Sequence, residues 1–270
     1  MSDFPTFLLL TVAMGLSIFL SLPVILAKRM QSRTITFLNA AAIGILVFLL
    51  ADIFGDVAPL LSGSAVYLTL PSMDVLFLAS VVGVFALLYA IDQRPPAELR
   101  RGDDALANGV AQSAVEGTSP TRLALIIAVG IGLQNLTEGL VFGSAWSLGE
   151  IGLLAVIFLG FFLQNVTEGF PIVSPLLGVR SRNVGQVAGF FLIGGLPTIL
   201  GGAVGYFYNS TALDVLFDAL AIGAILYVIL PMLRIAFRPA PSRLETYYRN
   251  RFVYFGLLTG FVLGFVVNAF

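Results

Sequence analysis

Gln134-Asn135-Leu136-Thr137-Glu138-Gly139 and Gln164-Asn165-Val166-Thr167-Glu168-Gly169 are two copies of one polar phrase in an otherwise apolar part of the chain. Each copy follows a leucine and lies near the middle of an apolar run that is long enough to cross a bilayer. An ionised glutamate at mid-membrane depth costs roughly 2.5–3.5 kcal/mol on insertion scales. Two such carboxylates beside amide side chains therefore indicate a functional site, and the sequence favours a bound cation.

The composition places the chain in the membrane. Of its 270 residues, 58% are hydrophobic and only 11% are charged, which is too apolar for a soluble domain and predicts a polytopic membrane protein. Cysteine is absent, so disulfides, thiolate metal sites and thiol catalysis are excluded; histidine, the commonest metal ligand and acid/base group, is absent too. A net charge of -1 without a large basic cluster indicates no nucleic-acid partner.

Windows of about twenty apolar residues predict eight transmembrane helices. The predicted spans cover roughly residues 5–27, 35–57, 72–91, 121–145, 150–178, 184–207, 212–236 and 250–269. The N-terminus lacks the positive region of a signal peptide, so the first run is predicted to be a retained span. The expected fold is an all-α membrane protein with a single transmembrane domain over residues 1–270.

The basic residues predict the orientation of these spans, because lysine and arginine collect in cytoplasmic loops. All 14 fall in alternate loops: Lys28, Arg29, Arg33; Arg94, Arg100, Arg101, Arg122; Arg180, Arg182; Arg234, Arg238, Arg243, Arg249, Arg251. Both termini are therefore predicted to lie outside. The connection from residue 92 to 119 carries Pro95-Pro96 and mixed charge, and it is predicted to be a flexible cytoplasmic loop.

Five aspartates lie within the spans. Asp74, Asp214 and Asp218 fall near the starts of their helices, where carboxylates suit the helix macrodipole. Asp52 and Asp56 share a face late in span 2, where the macrodipole opposes them. A polar entrance that collects cations from outside accounts better for this second pair.

The repeated phrase has the chemistry of a metal site. On a helix, Gln134 and Glu138 lie one turn apart on the same face, as do Gln164 and Glu168. Spans 4 and 5 run in opposite directions, so a pseudo-two-fold axis in the membrane plane would bring the copies together. Carboxylate and amide oxygens are ligands for hard cations, and the doubled negative charge favours a divalent ion. The candidate ligands are Gln134, Asn135, Glu138, Gln164, Asn165 and Glu168, with Asp52 completing the site from span 2.

Structural interpretations of the same residues stay open. Gln and Asn also join neighbouring membrane helices by hydrogen bonds worth about 0.6 kcal/mol on average. Thr can bond back to its own helix, and Gly can simply permit a close crossing. Pro171 and Pro175 free the carbonyls of Thr167 and Pro171, which would either line an ion path or mark a packing kink.

At these residues the chain resembles the ZIP family of divalent metal transporters. Gln134, Asn135, Glu138 and Gly139 match that family's fourth-helix phrase, His-Asn-x-x-Glu-Gly, with Gln in place of His. Gln164, Asn165, Glu168 and Gly169 match the Gln-led form of its fifth-helix phrase. Eight helices, external termini, a variable loop between helices 3 and 4, and the Gly223–Val228 stretch on span 7 agree with the family over the whole chain.

The resemblance implies a non-enzymatic, multi-pass carrier of the cell membrane that moves Zn²⁺, Mn²⁺ or Fe²⁺ toward the cytoplasm. Its partners would be the lipid bilayer and the transported metal, with no other cofactor, and a homodimer stays open. The chain departs from the family at the missing histidine, at Thr137 and Thr167 where many members have Pro, and at Leu196-Pro197 and Leu230-Pro231-Met232, which lack carboxylates. Oxygen-only ligands shift the preference away from zinc, toward manganese, iron(II) or magnesium. The alternative is a non-transporting relative that acts as a sensor or structural partner.

Overall fold

The fold is known from a computed structural model, which describes residues 4–23, 31–61, 73–92, 119–149, 151–177, 183–208, 210–237 and 242–268. The described residues are helical throughout these segments and contain no strand. Eight helices are long and apolar enough to cross a membrane, which confirms the predicted all-α membrane fold. The predicted loop between spans 3 and 4 lies outside the described residues, apart from its two ends.

The helices follow the predicted spans closely, with one exception. They are α1 (Phe4–Leu16, continued by a 3₁₀ turn at Ser17–Ser21), α2 (Ser32–Val57, continued at Ala58–Leu60), α3 (Met73–Asp92), α4 (Pro120–Leu148), α5 (Ile151–Val173, continued at Ser174–Leu176), α6 (Val184–Phe207), α7 (Thr211–Ala236) and α8 (Arg243–Asn268). The exception is α8, which begins at Arg243 rather than near residue 250. Its first two turns are polar, so a hydropathy window does not include them although they are helical.

Local signals in the sequence position α4, which carries the first copy of the phrase. The Ser119 hydroxyl accepts a hydrogen bond from the Arg122 backbone N–H at 3.3 Å, and Pro120 occupies the first helical position. The helix ends at Gly149, whose φ of 74° lies in the left-handed region that favours glycine. The chain then turns directly into α5, so the two phrases lie on consecutive, oppositely directed helices.

The eight helices pack as two groups. The first group contains α1, α4, α5 and α6, with α6 packed along α4. The second group contains α2, α3, α7 and α8, with α8 packed along α2 and α7 packed along α3. The groups meet where α7 contacts α4 and where α2 and α8 contact α5.

Glycine positions explain why each group is tightly packed. At eleven of them a Cβ would overlap a backbone oxygen of the neighbouring helix: Gly15 on Gly195, Gly195 on Gly15, Gly132 on Ile193, Gly139 on Thr198, Gly201 on Leu136, Gly143 on Gly202, Gly205 on Leu140, Gly44 on Leu257, Gly223 on Val81, Gly256 on Phe37 and Gly260 on Ala41. Small residues permit such close approach between membrane helices. All eleven contacts join helices of the same group.

The interface between the groups is looser. Gly130 on α4 faces α7 across it, and a Cβ there would lie 3.5 Å from Ala224 Cβ and 3.7 Å from Val228 Cγ2. These are ordinary van der Waals distances. Close backbone contacts thus hold helices together within each group, whereas Gly130 meets side chains of the other group at ordinary distance.

Candidate metal site

Side chains of the two phrases contact each other directly between α4 and α5. The Asn135 Nδ2 group donates a hydrogen bond to Asn165 Oδ1 at 2.7 Å, and Asn165 Nδ2 donates to Glu138 Oε2 at 3.2 Å. Gln134 Nε2 donates to Glu138 Oε1 at 3.0 Å along the same helix. The polar residues that the sequence singles out therefore form one buried cluster.

The two asparagines hold this cluster to its surroundings. Asn135 Nδ2 also donates to the Gly194 carbonyl of α6 at 2.9 Å, and Asn165 Nδ2 also donates to the Phe161 carbonyl one turn earlier at 3.0 Å. Both side chains are fully buried, with 0% of their surface exposed. Asn135 and Asn165 thus join three helices at the level of the phrase, in addition to facing the carboxylates.

The two glutamates have different environments. Both oxygens of Glu138 accept hydrogen bonds, whereas neither oxygen of Glu168 has a hydrogen-bond partner although the side chain is 0% exposed. The amides of Gln134 and Asn135 lie beside Glu168, but not in positions that form hydrogen bonds to it. The two carboxylates interact electrostatically, and no Lys or Arg of the described residues forms an ion pair with either. A positive charge would relieve this repulsion.

The phrases contain several buried polar atoms without a hydrogen-bond partner, and all of them are acceptors. They are Gln134 Oε1, Asn135 Oδ1, Gln164 Oε1, Glu168 Oε1 and Glu168 Oε2. Buried acceptors without a donor are costly unless a ligand satisfies them. The described residues contain no cluster of three or more carboxylates suited to a metal ion, so any metal held here would also need amide oxygens.

The threonines and glycines of the phrase have packing roles. Thr137 and Thr167 donate their hydroxyls to backbone carbonyls of their own helices, at Leu133 (3.5 Å) and Gln164 (2.8 Å). A Cβ at Gly139 would collide with the α6 backbone, and one at Gly169 would collide with Ser21 after α1. The Thr hydroxyls therefore bond back to their own helices, and the Gly residues permit close helix contacts.

Asp52 lies beside the cluster rather than within its hydrogen-bond network. Its side chain is partly buried, and Asp52 Oδ1 accepts a hydrogen bond from Asn268 Nδ2 at 2.7 Å. It interacts electrostatically with Glu138 on one side and with Asp56 on the other. Asp52 thus connects the carboxylate pair with the end of the bundle where α2 stops.

Asp218 continues this row of carboxylates. Only 4% of its surface is exposed, and it lies near Thr137 on α4 and interacts electrostatically with Asp56 and Asp214. The macrodipole accounts for Asp214 in the first turn of α7, but a buried Asp218 also faces the first helix group. We call the end of the bundle near Asp56 and Asp214 the acidic end.

A cavity lies on the opposite side of the cluster, toward the end where Arg33, Arg122, Arg234 and Arg243 lie, which we call the basic end. It is small, about 20 Å³, which is room for about one water molecule, and it is partly open to the surroundings. Both helix groups line it, through Asn39, Ile43, Leu123, Ser174, Pro175, Met232, Ile235 and Ala236. Asn39 Oδ1 is a buried acceptor without a partner.

Pro175, after the second phrase, lines this cavity. Of the two backbone carbonyls that the prolines were predicted to free, that of Pro171 has a hydrogen-bond partner. Pro171 lies inside α5, and the helix tightens into a 3₁₀ turn at Ser174–Leu176. The Pro171 carbonyl, which Pro175 removes from the helical ladder, accepts a hydrogen bond from Ser174 Oγ at 3.1 Å. Coordination of an ion by this carbonyl would require Ser174 to turn away.

Three partnerships near the site were not expected from the sequence. They are the Gly194 carbonyl that anchors Asn135, the Asn268 amide that holds Asp52, and a cluster at the basic end in which Tyr227 and Arg122 both contact Asp92. Of these, only Asn268 has a signal in the sequence, because a lone polar residue in an apolar run predicts a polar partner. A backbone carbonyl and a contact between distant helices leave no local signal.

Comparison with protein-family models and with curated proteins finds no match to this chain. The resemblance to the ZIP family therefore stays a prediction from the sequence motifs.

Proposed function

We propose that this protein carries a divalent metal ion across the membrane through the cluster between α4 and α5. The observation that supports the proposal most is the set of buried, unpartnered acceptor oxygens on Gln134, Asn135, Gln164 and Glu168. Two carboxylates lie in the same cluster without a basic partner. Such a set is complementary to a cation.

The donor atoms favour particular metals. Carboxylate and amide oxygens suit Mn²⁺, Fe²⁺ and Mg²⁺, whereas imidazole and thiolate, which favour zinc, are absent from the chain. Glu138 and Glu168 would supply the charge, with Gln134 and Gln164 as neutral ligands. Asn135 would add its unpartnered oxygen, whereas Asn165, whose oxygen already accepts a hydrogen bond from Asn135, would hold the two helices at the correct separation.

The surrounding residues support a route across the bundle. Asp214, Asp218, Asp56 and Asp52 form a row from the acidic end to the cluster, which would attract a cation. The small cavity on the far side lies nearer the basic end, which the loop charges predict to be cytoplasmic. Sliding of one helix group against the other would alternate access to the cluster.

Metal uptake into vesicles that contain the purified protein tests this function. Glu168→Gln and Glu138→Gln should each reduce uptake of Mn²⁺, Fe²⁺ and Zn²⁺ to the background of protein-free vesicles. Asp74→Asn, which removes a carboxylate from the first turn of α3, is the control and should retain uptake. Unchanged uptake in both glutamate variants would reject the assignment.

A second candidate is a relative that binds no metal and serves as a structural partner or sensor. It is favoured by the hydrogen bonds that already join Asn135, Asn165 and Glu138, and by the lack of a three-carboxylate cluster among the described residues. Thermal unfolding with increasing metal separates the two candidates, since a ligand that binds only the folded protein raises its stability. No shift with any divalent metal would favour the second candidate.

A further inference from the structure

The packing of α8 against α2 fixes which residues face each other at the basic end. The two helices run in the same direction, and backbone contacts at Gly256 with Phe37 and at Gly260 with Ala41 set their register. Arg249 lies two turns before Gly256 on α8. In this register it lies at the level of the first residues of α2. The guanidinium carbon of Arg33 lies 6.0 Å from the Phe252 ring centroid, in agreement with this register.

Arg249 is the unusual residue at this level. Its side chain is only partly exposed, and both Nε and Nη2 are buried without a hydrogen-bond partner. Glu245 lies one turn earlier on the same helix, yet no ion pair joins it to Arg249. A buried guanidinium without an acceptor is costly, so an acceptor from outside the chain is expected.

The unpartnered atoms identify the shape of that acceptor. Nε and Nη2 form one edge of the planar guanidinium, and their N–H bonds point the same way. This edge binds two oxygens of one carboxylate or phosphate side by side. An anion with two adjacent oxygens would therefore satisfy both nitrogens at once.

The surroundings of Arg249 add positive potential. Arg33 lies at the same level, and the N-terminus of the 26-residue α2 carries the positive end of its macrodipole. The residue that precedes α2, Gln31, provides no side-chain cap for the free backbone N–H groups. These groups and the two arginines would attract the same anion.

We propose that Arg249, with Arg33 and the start of α2, binds the phosphate of an anionic phospholipid headgroup at the basic end. The phosphodiester supplies the adjacent oxygens, and an anionic headgroup adds no ammonium that would compete with the arginine. A free phosphate has the same oxygens, but the position of Arg249 along α8 favours a lipid. Arg249 lies where the polar first turns of the helix give way to its apolar run, which is the level of the lipid headgroups.

Lipid binding to the purified full-length protein tests the proposal, and it requires no transport activity. Native mass spectrometry would count the phosphatidylglycerol and phosphatidylcholine molecules that the protein retains during titration. The natural protein should retain phosphatidylglycerol preferentially, and Arg249→Gln should weaken its binding about tenfold or more. Arg249→Lys should also weaken it, because lysine keeps the charge but lacks the two-nitrogen edge.

Arg243→Gln is the matched control, because it removes the same charge from an exposed position on the same helix. It should change phosphatidylglycerol binding by no more than about twofold. Equal retention of the two lipids by the natural protein would overturn the proposal. So would a result in which neither Arg249→Lys nor Arg243→Gln changes phosphatidylglycerol binding. Displacement of the lipid by millimolar inorganic phosphate would assign the site to a free anion instead. If Arg249→Gln does not fold, the proposal is tested by the lipid preference of the natural protein and by the phosphatidylglycerol binding of Arg249→Lys.

Discussion

Replacing Glu168 with glutamine should make the metal-free protein more stable and should remove its stabilisation by metal. The natural carboxylate is completely buried, lacks a hydrogen-bond partner and repels Glu138. A glutamine of nearly the same shape removes this repulsion. Its Nε2 group can also donate to the unpartnered oxygens of Gln134 or Asn135, which lie beside position 168.

The expected size follows from the cost of the unsatisfied carboxylate. A buried polar group without a partner costs about 1–3 kcal/mol, and a charged group costs more. At about 2–4 °C per kcal/mol for a chain of this size, the thermal midpoint without metal should rise by roughly 2–12 °C. With metal at about 100 times its dissociation constant, the natural protein should gain about 2.7 kcal/mol, and Glu168→Gln should gain nothing.

Thermal unfolding in detergent, with and without Mn²⁺, measures both effects, and Glu138→Gln is the matched control. Both Glu138 oxygens accept hydrogen bonds, so a glutamine there presents an N–H group to a donor and loses one bond. Its midpoint without metal should therefore rise less than that of Glu168→Gln, or fall. If Glu168→Gln instead lowers the metal-free midpoint, the carboxylate has stabilising partners, and our account of the site is wrong.

Three further changes test the packing, the basic end and the cavity. Gly139→Ala should lower the free energy of unfolding by about 1–3 kcal/mol or more, because its Cβ would overlap the α6 backbone, whereas Gly55→Ala has open space and should be neutral or stabilising. Equal midpoints for these two variants would refute the close contact. Tyr227→Phe removes a 2.6 Å hydrogen bond to Asp92 and should cost about 1.5–3 kcal/mol in unfolding experiments; no loss would mean that water replaces the hydroxyl. Asn39→Cys, the single thiol in a chain without cysteine, should react with a hydrophilic maleimide applied at the basic end; reaction only from the acidic end would place the cavity on the wrong side.

The membrane fold was predictable because its main signal is local. Each span is a run of apolar residues, and the composition of one run identifies it without knowledge of the others. The start of α8 was not identified, since Arg243 and its polar neighbours are helical only in the context of the helix that follows. The division into two groups was also beyond the sequence, because it depends on which glycine meets which backbone. Gly139 and Gly130 look alike in the sequence, yet one touches α6 closely and the other faces α7 at ordinary distance.

The phrase as a polar cluster was predictable, but the roles of its members were not. Gln134 donates to Glu138 one turn later, whereas the second copy has no such bond between Gln164 and Glu168. The two copies share residue types and spacing, so the difference must arise from their neighbours. Asn165 reaches across to Glu138, while Asn135 turns to Asn165 and the Gly194 carbonyl and forms no hydrogen bond to Glu168. The repetition in the sequence thus predicts that the two copies lie together. It does not predict which carboxylate receives the hydrogen bonds of the amide side chains.

Under the proposed function, this unequal sharing of donors would suit an ion that must be released again. Conduction requires binding that is favourable enough for the ion to enter and weak enough for release. Glu138 is held by two amides, so the position of its carboxyl group does not depend on the metal. Glu168 has no protein donor that holds it, so in the proposed carrier its carboxylate would be the one that moves with the ion. If protein donors bound both carboxylates, the site would bind the metal ion less strongly. If neither carboxylate had a donor, the metal-free protein would be less stable.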